Sequence, residues 1–237
     1  MKKIIIILFS FLLINSVSGQ IAPKRPFNQD GFYKSINDVP GIYHFKDSLD
    51  ILYENLDLYN LGLSKDGFQL AYKGYKKLMK SGSISNPNYL TICDFTQPST
   101  SRRLYLIDMK NSKVEIQTWV CHGRKSGDIL PTKFSNKMSS YQSSIGFYVT
   151  GKPYRGRRGL SLRIYGIESD YNDNAFKRDV VIHGSKYIGY GKTGRSLGCP
   201  AVPKNISKDL INVIKNGSCF FIYYPLKDYL DNSKILS

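Results

Sequence analysis

Two side chains in the C-terminal half could together transfer an acyl group. His183 ends the β-type run Val180-Val181-Ile182, and Cys199 stands sixteen residues later in a Gly-Cys-Pro turn. A cysteine attacks as its thiolate, and a neighbouring imidazole can take the thiol proton and later return it to an amine. Between them lie Gly184, Gly189, Gly191, Gly194 and Gly198, which read as a mobile loop able to fold over a cleft. Gly198 permits a tight backbone approach, Pro200 stiffens the exit, and the amides of Gly198 and Cys199 are candidate oxyanion donors. Ser196 is placed to orient the imidazole or a substrate through a hydrogen bond. The competing reading is a buried structural cysteine beside a satisfied core histidine.

The elements that must hold this pair are mostly strands. Alternating or apolar runs at 89–95, 103–109, 114–121, 145–150, 161–167, 179–183 and 219–224 predict a mainly β domain, a sandwich or barrel with few helices. A polar turn at 110–113 joins two of these runs into a hairpin. The helix predicted over 65–80 carries Phe68, Ala71, Tyr72, Tyr75, Leu78 and Met79 on one face, with Ser64 as N-cap and Gly82 just past its end. A second, short helix is predicted over 208–215, with Ser207 as N-cap.

Residues 1–19 have the parts of a secretory signal: Lys2 and Lys3, an apolar run from 4 to 14, and small residues ending Val17-Ser18-Gly19. The apolar run is shorter than the about 20 residues a bilayer span needs, so the expected product has no stable membrane insertion. The division expected is therefore a signal at 1–19, a helical and irregular region at 20–88, a catalytic domain at 89–226 and a tail at 227–237. The formal charge of +16 includes the two signal lysines, and 16 minus 2 leaves +14 on the exported chain. That excess favours an anionic partner, and export points to a cell-wall polymer or lipid surface rather than nucleic acid. Cys93, Cys121 and Cys219 each sit in an apolar run and read as small buried hydrophobes, with a Cys93–Cys121 disulfide as the alternative.

The segment His183-Gly184 followed by Ser196-Leu197-Gly198-Cys199 resembles the active-site motif of the YkuD-family L,D-transpeptidases. Leu197 and Ala201 stand where most of that family carries a histidine and an Arg or Asn. The Gly-Cys-Pro-Ala turn is closer to a divergent branch common in Bacteroidota, the murein L,D-transpeptidase catalytic domain proteins. So are Cys93-Asp94-Phe95, the stretches at 103–108, 120–124 and 144–151, and Asn172-Asp173-Asn174-Ala175.

The resemblance implies a YkuD-like fold and cross-linking of peptidoglycan stem peptides, without metal or other cofactor. Cys199 would attack the carbonyl of the third stem residue, a diamino acid, expelling the terminal D-alanine and leaving a thioester that a neighbouring stem's amine resolves. His183 would be general base and acid, with the backbone carbonyl near Gly184, or else Ser196, as orienting group. An L,D-carboxypeptidase or cross-link hydrolase on the same fold is the alternative, as is a non-catalytic peptidoglycan-binding module. The expected location is the periplasm or cell envelope.

Candidate substrate contacts are Tyr187 and Arg195 on the glycine loop, Arg163, and the turn carrying His122 and Arg124. There His122 would line the cleft and Arg124 grip a stem carboxylate; a surface loop histidine is the other reading of His122. The basic run Arg155, Arg157, Arg158, beside Tyr154, could bind the same polymer or be solvated surface. A metal site built from His122, His183 and Cys199 has only a generic signal behind it. Nothing in the sequence indicates the oligomeric state.

Overall fold

The computed structural model describes residues 47–189, 192, 193 and 195–237. The expected signal at 1–19 lies outside them. Among the described residues four helices, α1 (Ser48–Asn55), α2 (Lys65–Lys80), α3 (Lys204–Ile214) and α4 (Lys227–Asn232), accompany a mainly β body. The strands are β1 (Tyr89–Asp94), β2 (Leu104–Asp108), β3 (Lys113–Thr118), β4 (His122–Gly123), β5 (Gly146–Gly156), β6 (Gly159–Gly166), β7 (Val181–Ser185), β8 (Ile188–Gly189), β9 (Lys192–Thr193), β10 (Arg195–Ser196), β11 (Ala201–Pro203) and β12 (Cys219–Tyr223).

Eight strands form one sheet in the order β11-β7-β6-β5-β12-β1-β2-β3. Its outer edges are drawn together by the chain that leaves β3. The Cys121 amide donates to the Ala201 carbonyl of β11 at 2.9 Å, and β4 pairs in parallel with β10, just ahead of the Gly198-Cys199 turn. The sheet is therefore a nearly closed barrel, which satisfies edge groups that an open sheet leaves unpaired. β1 and β12 pair in parallel at its centre and are buried along nearly their whole length. That burial on both faces explains why YLTICD and CFFIY read as near-continuous rather than alternating runs.

Helix α2 has the predicted bounds, and the Ser64 hydroxyl accepts from the Gly67 amide at 3.2 Å. Its buried face is Phe68, Ala71, Gly74, Tyr75 and Leu78, whereas Met79 turns outward. Gly74 is required there: a Cβ at this position would sit 2.0 Å from the Phe147 ring of β5. The backbone of α2 thus approaches the sheet closely, and residues 47–88 share one core with the strands. Asp94 fastens the junction, its carboxylate accepting from the Ser64 amide at 3.0 Å and from the Thr96 amide at 3.1 Å.

Three expectations are corrected. The helix expected at 208–215 begins at Lys204, so Ser207 lies inside it and bonds back to the Lys204 carbonyl at 2.9 Å. Pro203 supplies the fixed φ at its start instead of a capping hydroxyl. The expected tail contains α4, whose Tyr229 is fully buried and donates to Glu168 at 2.8 Å. Glu168 also accepts from the Phe147 amide and the Ser233 hydroxyl, and Asn172 donates to the carbonyls of Ile145 and Phe147, both at 3.0 Å. Finally, the glycine-rich stretch expected as a loop contains the β8–β9 hairpin and β10.

Candidate active site

The site is built on the sheet edge. β11 runs parallel to β7 with Ala201 opposite His183, so the Cys199 turn enters one strand away and two residues short of the imidazole. The chain turns at Cys199, whose carbonyl accepts from the Ala201 amide at 3.0 Å, and so enters β11 on the strand next to the imidazole's. His183 is 2% exposed, and its Nδ1 lies 3.1 Å from the Gly184 carbonyl oxygen. A carbonyl can only accept, so Nδ1 carries the proton and Nε2 is left as the basic nitrogen. Burial pushes the imidazole below its ordinary 6.5, the Gly184 bond opposes this, and the Arg158 charge adds to the depression. At neutral pH the ring is uncharged.

Cys199 is half-buried, and its thiol donates to the Asp179 carbonyl at 3.5 Å. Burial raises the thiol above its ordinary value; the Val181 backbone and the charges of Arg158 and Arg178 pull the other way. The resting pair is thus a neutral thiol beside a neutral imidazole.

The turn itself is braced by Ser196. Its hydroxyl donates to the Cys199 carbonyl at 2.7 Å and accepts from the Gly198 amide at 3.0 Å. Two expectations change accordingly. Ser196 holds the Cys199 backbone rather than the imidazole, and the Gly198 amide is engaged within the turn, which leaves the Cys199 amide as the candidate oxyanion donor. Gly198 has φ +123°, and a Cβ there would lie 2.9 Å from the Gln142 carbonyl, so only glycine fits.

His122 is neither a cleft residue nor a surface one. It is fully buried beneath the turn, with Nδ1 accepting from Arg103 Nη2 at 2.9 Å and Nε2 3.2 Å from the Gly127 carbonyl. Burial and the Arg103 charge push it down to about 4. Its strand mate Arg195 pairs with Asp128 at 3.0 Å. Arg124 is exposed and lies over the Tyr141 ring at 4.4 Å. Tyr187 and Leu197 present exposed apolar surface on the segment around the turn. Arg163 pairs with Asp179 at 3.3 Å and lies over both the Tyr154 and the Phe176 rings, 4.8 Å from each centroid. Cys93, Cys121 and Cys219 are buried free thiols, so the Cys93–Cys121 disulfide does not form. Among the described residues, no group of three His, Cys, Asp or Glu side chains could hold a metal ion.

With the site in view, residues 60–223 match the L,D-transpeptidase catalytic domain family. The chain belongs to that family. No curated protein matches it. Similar solved structures include an L,D-transpeptidase from Mycobacterium smegmatis (10% identity, 58% of this chain and 59% of that one, TM-score 0.38). Others are the helical cell shape determining protein Pgp2 from Campylobacter jejuni (14%, 63% and 55%, 0.39) and an L,D-transpeptidase from Xylanimonas cellulosilytica (15%, 85% and 100%, 0.35). This chain spans about three fifths of the length of the first.

Within this L,D-transpeptidase domain the sequence reading missed Arg178, Asp179 and Arg103. Arg178 donates to the carbonyls of Ser135 and Gln142, both at 2.6 Å, and to the hydroxyls of Ser140 and Ser144. It thereby latches the segment that presses on Gly198. Asp179, at φ 52°, offers its carbonyl to the thiol. Arg103 is buried and donates to the carbonyls of Val120 and Gln97 as well as to His122. The available signal for Arg103 was its place directly ahead of the apolar run Leu104-Tyr105-Leu106; Arg178 had none beyond its proximity in sequence to His183. Arg158 was noticed as part of a basic run, and its charge acts on both His183 and Cys199.

Proposed function

We propose that this chain is an exported cysteine L,D-transpeptidase that remodels peptidoglycan stem peptides through a thioester. The observation that carries the reading is the Nε2-basic tautomer of His183, held by the Gly184 carbonyl, on the strand beside Cys199. In the proposed cycle the Cys199 thiol leaves the Asp179 carbonyl and passes its proton to His183 Nε2 as sulfur attacks the third-residue carbonyl. The Cys199 amide meets the developing oxyanion. Collapse breaks the C–N bond, and the His183 imidazolium protonates the departing D-alanine amine. An acceptor amine then attacks the thioester, loses a proton to Nε2, and the returned proton restores the thiol. A neutral starting pair suits this order, because each transfer begins from a filled Nε2 lone pair or a held proton.

Export rests on the 1–19 signal, and the basic charge of the chain favours an anionic wall polymer; among the described residues no helix is long and apolar enough to cross a membrane. Incubation with a carbapenem followed by mass spectrometry tests the nucleophile: an acyl adduct on Cys199, absent in Cys199→Ala, is expected. An unmodified, folded wild-type chain would overturn the reading. Product analysis on tetrapeptide-bearing muropeptides then distinguishes amine from water as the resolving group, by dimers as against trimmed tripeptides.

A further inference from the structure

On the sheet face that carries His183 lies a cavity of about 650 Å³ with Ser85, Lys152, Tyr154, Arg163, Tyr165 and Asn216 in its wall. The shared face follows from register. Ser161 is opposite His183 and Arg163 opposite Val181, and partners across neighbouring strands point to one side, as do residues two apart along a strand. Arg163 and Tyr165 therefore extend the surface that His183 begins. Among the described residues the cavity wall holds two cations and no Asp or Glu. The hairpin that forms it also carries Arg155, Arg157 and Arg158.

Arg163 is arranged as a recognition group. Its guanidinium lies over both the Tyr154 and the Phe176 rings, 4.8 Å from each centroid, and Phe176 stacks in turn on Tyr165 at 5.7 Å. A planar fork fixed this way loses little freedom on binding and presents its donors edge-on. Asp179 takes one N–H of Nη1, leaving four of the five donors, through a largely exposed carboxylate at 3.3 Å, a pairing weak enough for a ligand to share or displace. The backbone of this same Asp179 accepts the Cys199 thiol. The guanidinium and sulfur thus both meet Asp179, and the backbones that carry them lie two strand spacings, or about 10 Å, apart. An extended peptide covers that distance in about three residues.

We propose that the cavity is an anchoring subsite in which Arg163 holds a free carboxylate of the stem peptide, up to about three residues from the scissile carbonyl. The proposal rests on the stem-peptide reading above and supplies a carboxylate grip where Ala201 offers none.

The test separates it from catalysis by measuring equilibrium binding to the Cys199→Ala chain. The ligands are purified tetrapeptide muropeptides before and after conversion of their carboxylates to carboxamides, and each is also measured with Arg163→Gln and Arg163→Lys added. Amidation is expected to weaken binding about 10- to 100-fold. Arg163→Gln should cost a comparable part of the free-acid affinity and shrink the discrimination between the two ligands, while Arg163→Lys restores part of it. Three results overturn the subsite: full discrimination retained in Arg163→Gln, an equal loss for both ligands, or no binding of either ligand at millimolar concentration. Should Arg163→Gln fail to melt cooperatively, Arg163→Lys against Cys199→Ala alone carries the same comparison. A chain that discriminates yet forms no carbapenem adduct would keep the subsite and lose the catalytic reading.

Discussion

The resting protonation state of the candidate pair can be read from the pH dependence of thiol alkylation. Burial raises Cys199 above its ordinary 9.0 and lowers His183 below its ordinary 6.5. Desolvation disfavours whichever form is charged, so both shifts favour the neutral pair. With 9.0 as the floor, thiolate is at most about one part in a hundred at pH 7. The iodoacetamide rate constant at Cys199 should therefore rise about tenfold per pH unit from 6 to above 8, with no plateau in between. The other thiols add little, since burial pushes Cys121 up to about 11 and raises Cys93 and Cys219 further; Cys199→Ala gives the background. Because a neutral imidazole exerts no net charge on the thiol, His183→Asn should change the alkylation rate at pH 7 by less than about twofold while slowing carbapenem acylation about 100-fold or more. A plateau below pH 8, abolished by His183→Asn, would show a thiolate–imidazolium pair at rest and refute this reasoning.

Three further outcomes follow from the braces around the site. Ser196→Ala removes partners from both the Gly198 amide and the Cys199 carbonyl; at about 1 kcal/mol for each bond it should cost about 2 kcal/mol in urea denaturation and slow Cys199 acylation at least tenfold. Arg103→Met strands the Val120 carbonyl and His122 Nδ1 in the interior; two buried groups left unsatisfied predict about 3–5 kcal/mol lost in the same assay. His122 is held near 4 against an ordinary 6.5, so the unfolded chain binds more protons than the folded one between those values. Stability should be fully present above pH 6.5 and fall by about 3 kcal/mol as pH drops to 4. That slope should flatten in His122→Asn, whose Oδ1 can still accept from Arg103.

Much of the architecture was legible because it depends on local patterning. Ser64 and the three-and-four spacing after it marked α2 with its observed bounds, and the apolar runs located the central strands. The candidate pair was legible for the same reason: a strand-end histidine and a Gly-Cys-Pro turn are local objects. What pattern could not show is where distant groups meet. Pro203 started α3 earlier than the Ser207 signal suggested, since a fixed φ served in place of a capping side chain. The glycine-rich stretch looked like loop because hairpins two residues deep have no period to detect.

The residue types and order by themselves determined a mainly β domain carrying Cys199 and His183 at suitable spacing. Only the tertiary structure decided which groups serve them. Barrel closure brings Cys121 and His122 under the turn, burying His122 against Arg103 and removing it from any cleft. Ser196 finds the Gly198 amide and the Cys199 carbonyl within its own turn, and closure adds its 3.4 Å contact with the His122 carbonyl. Burial, a property of the packed whole, then sets both members of the pair neutral. Desolvation and hydrogen bonding depend on what surrounds a group in space, and one strand's residues do not specify that.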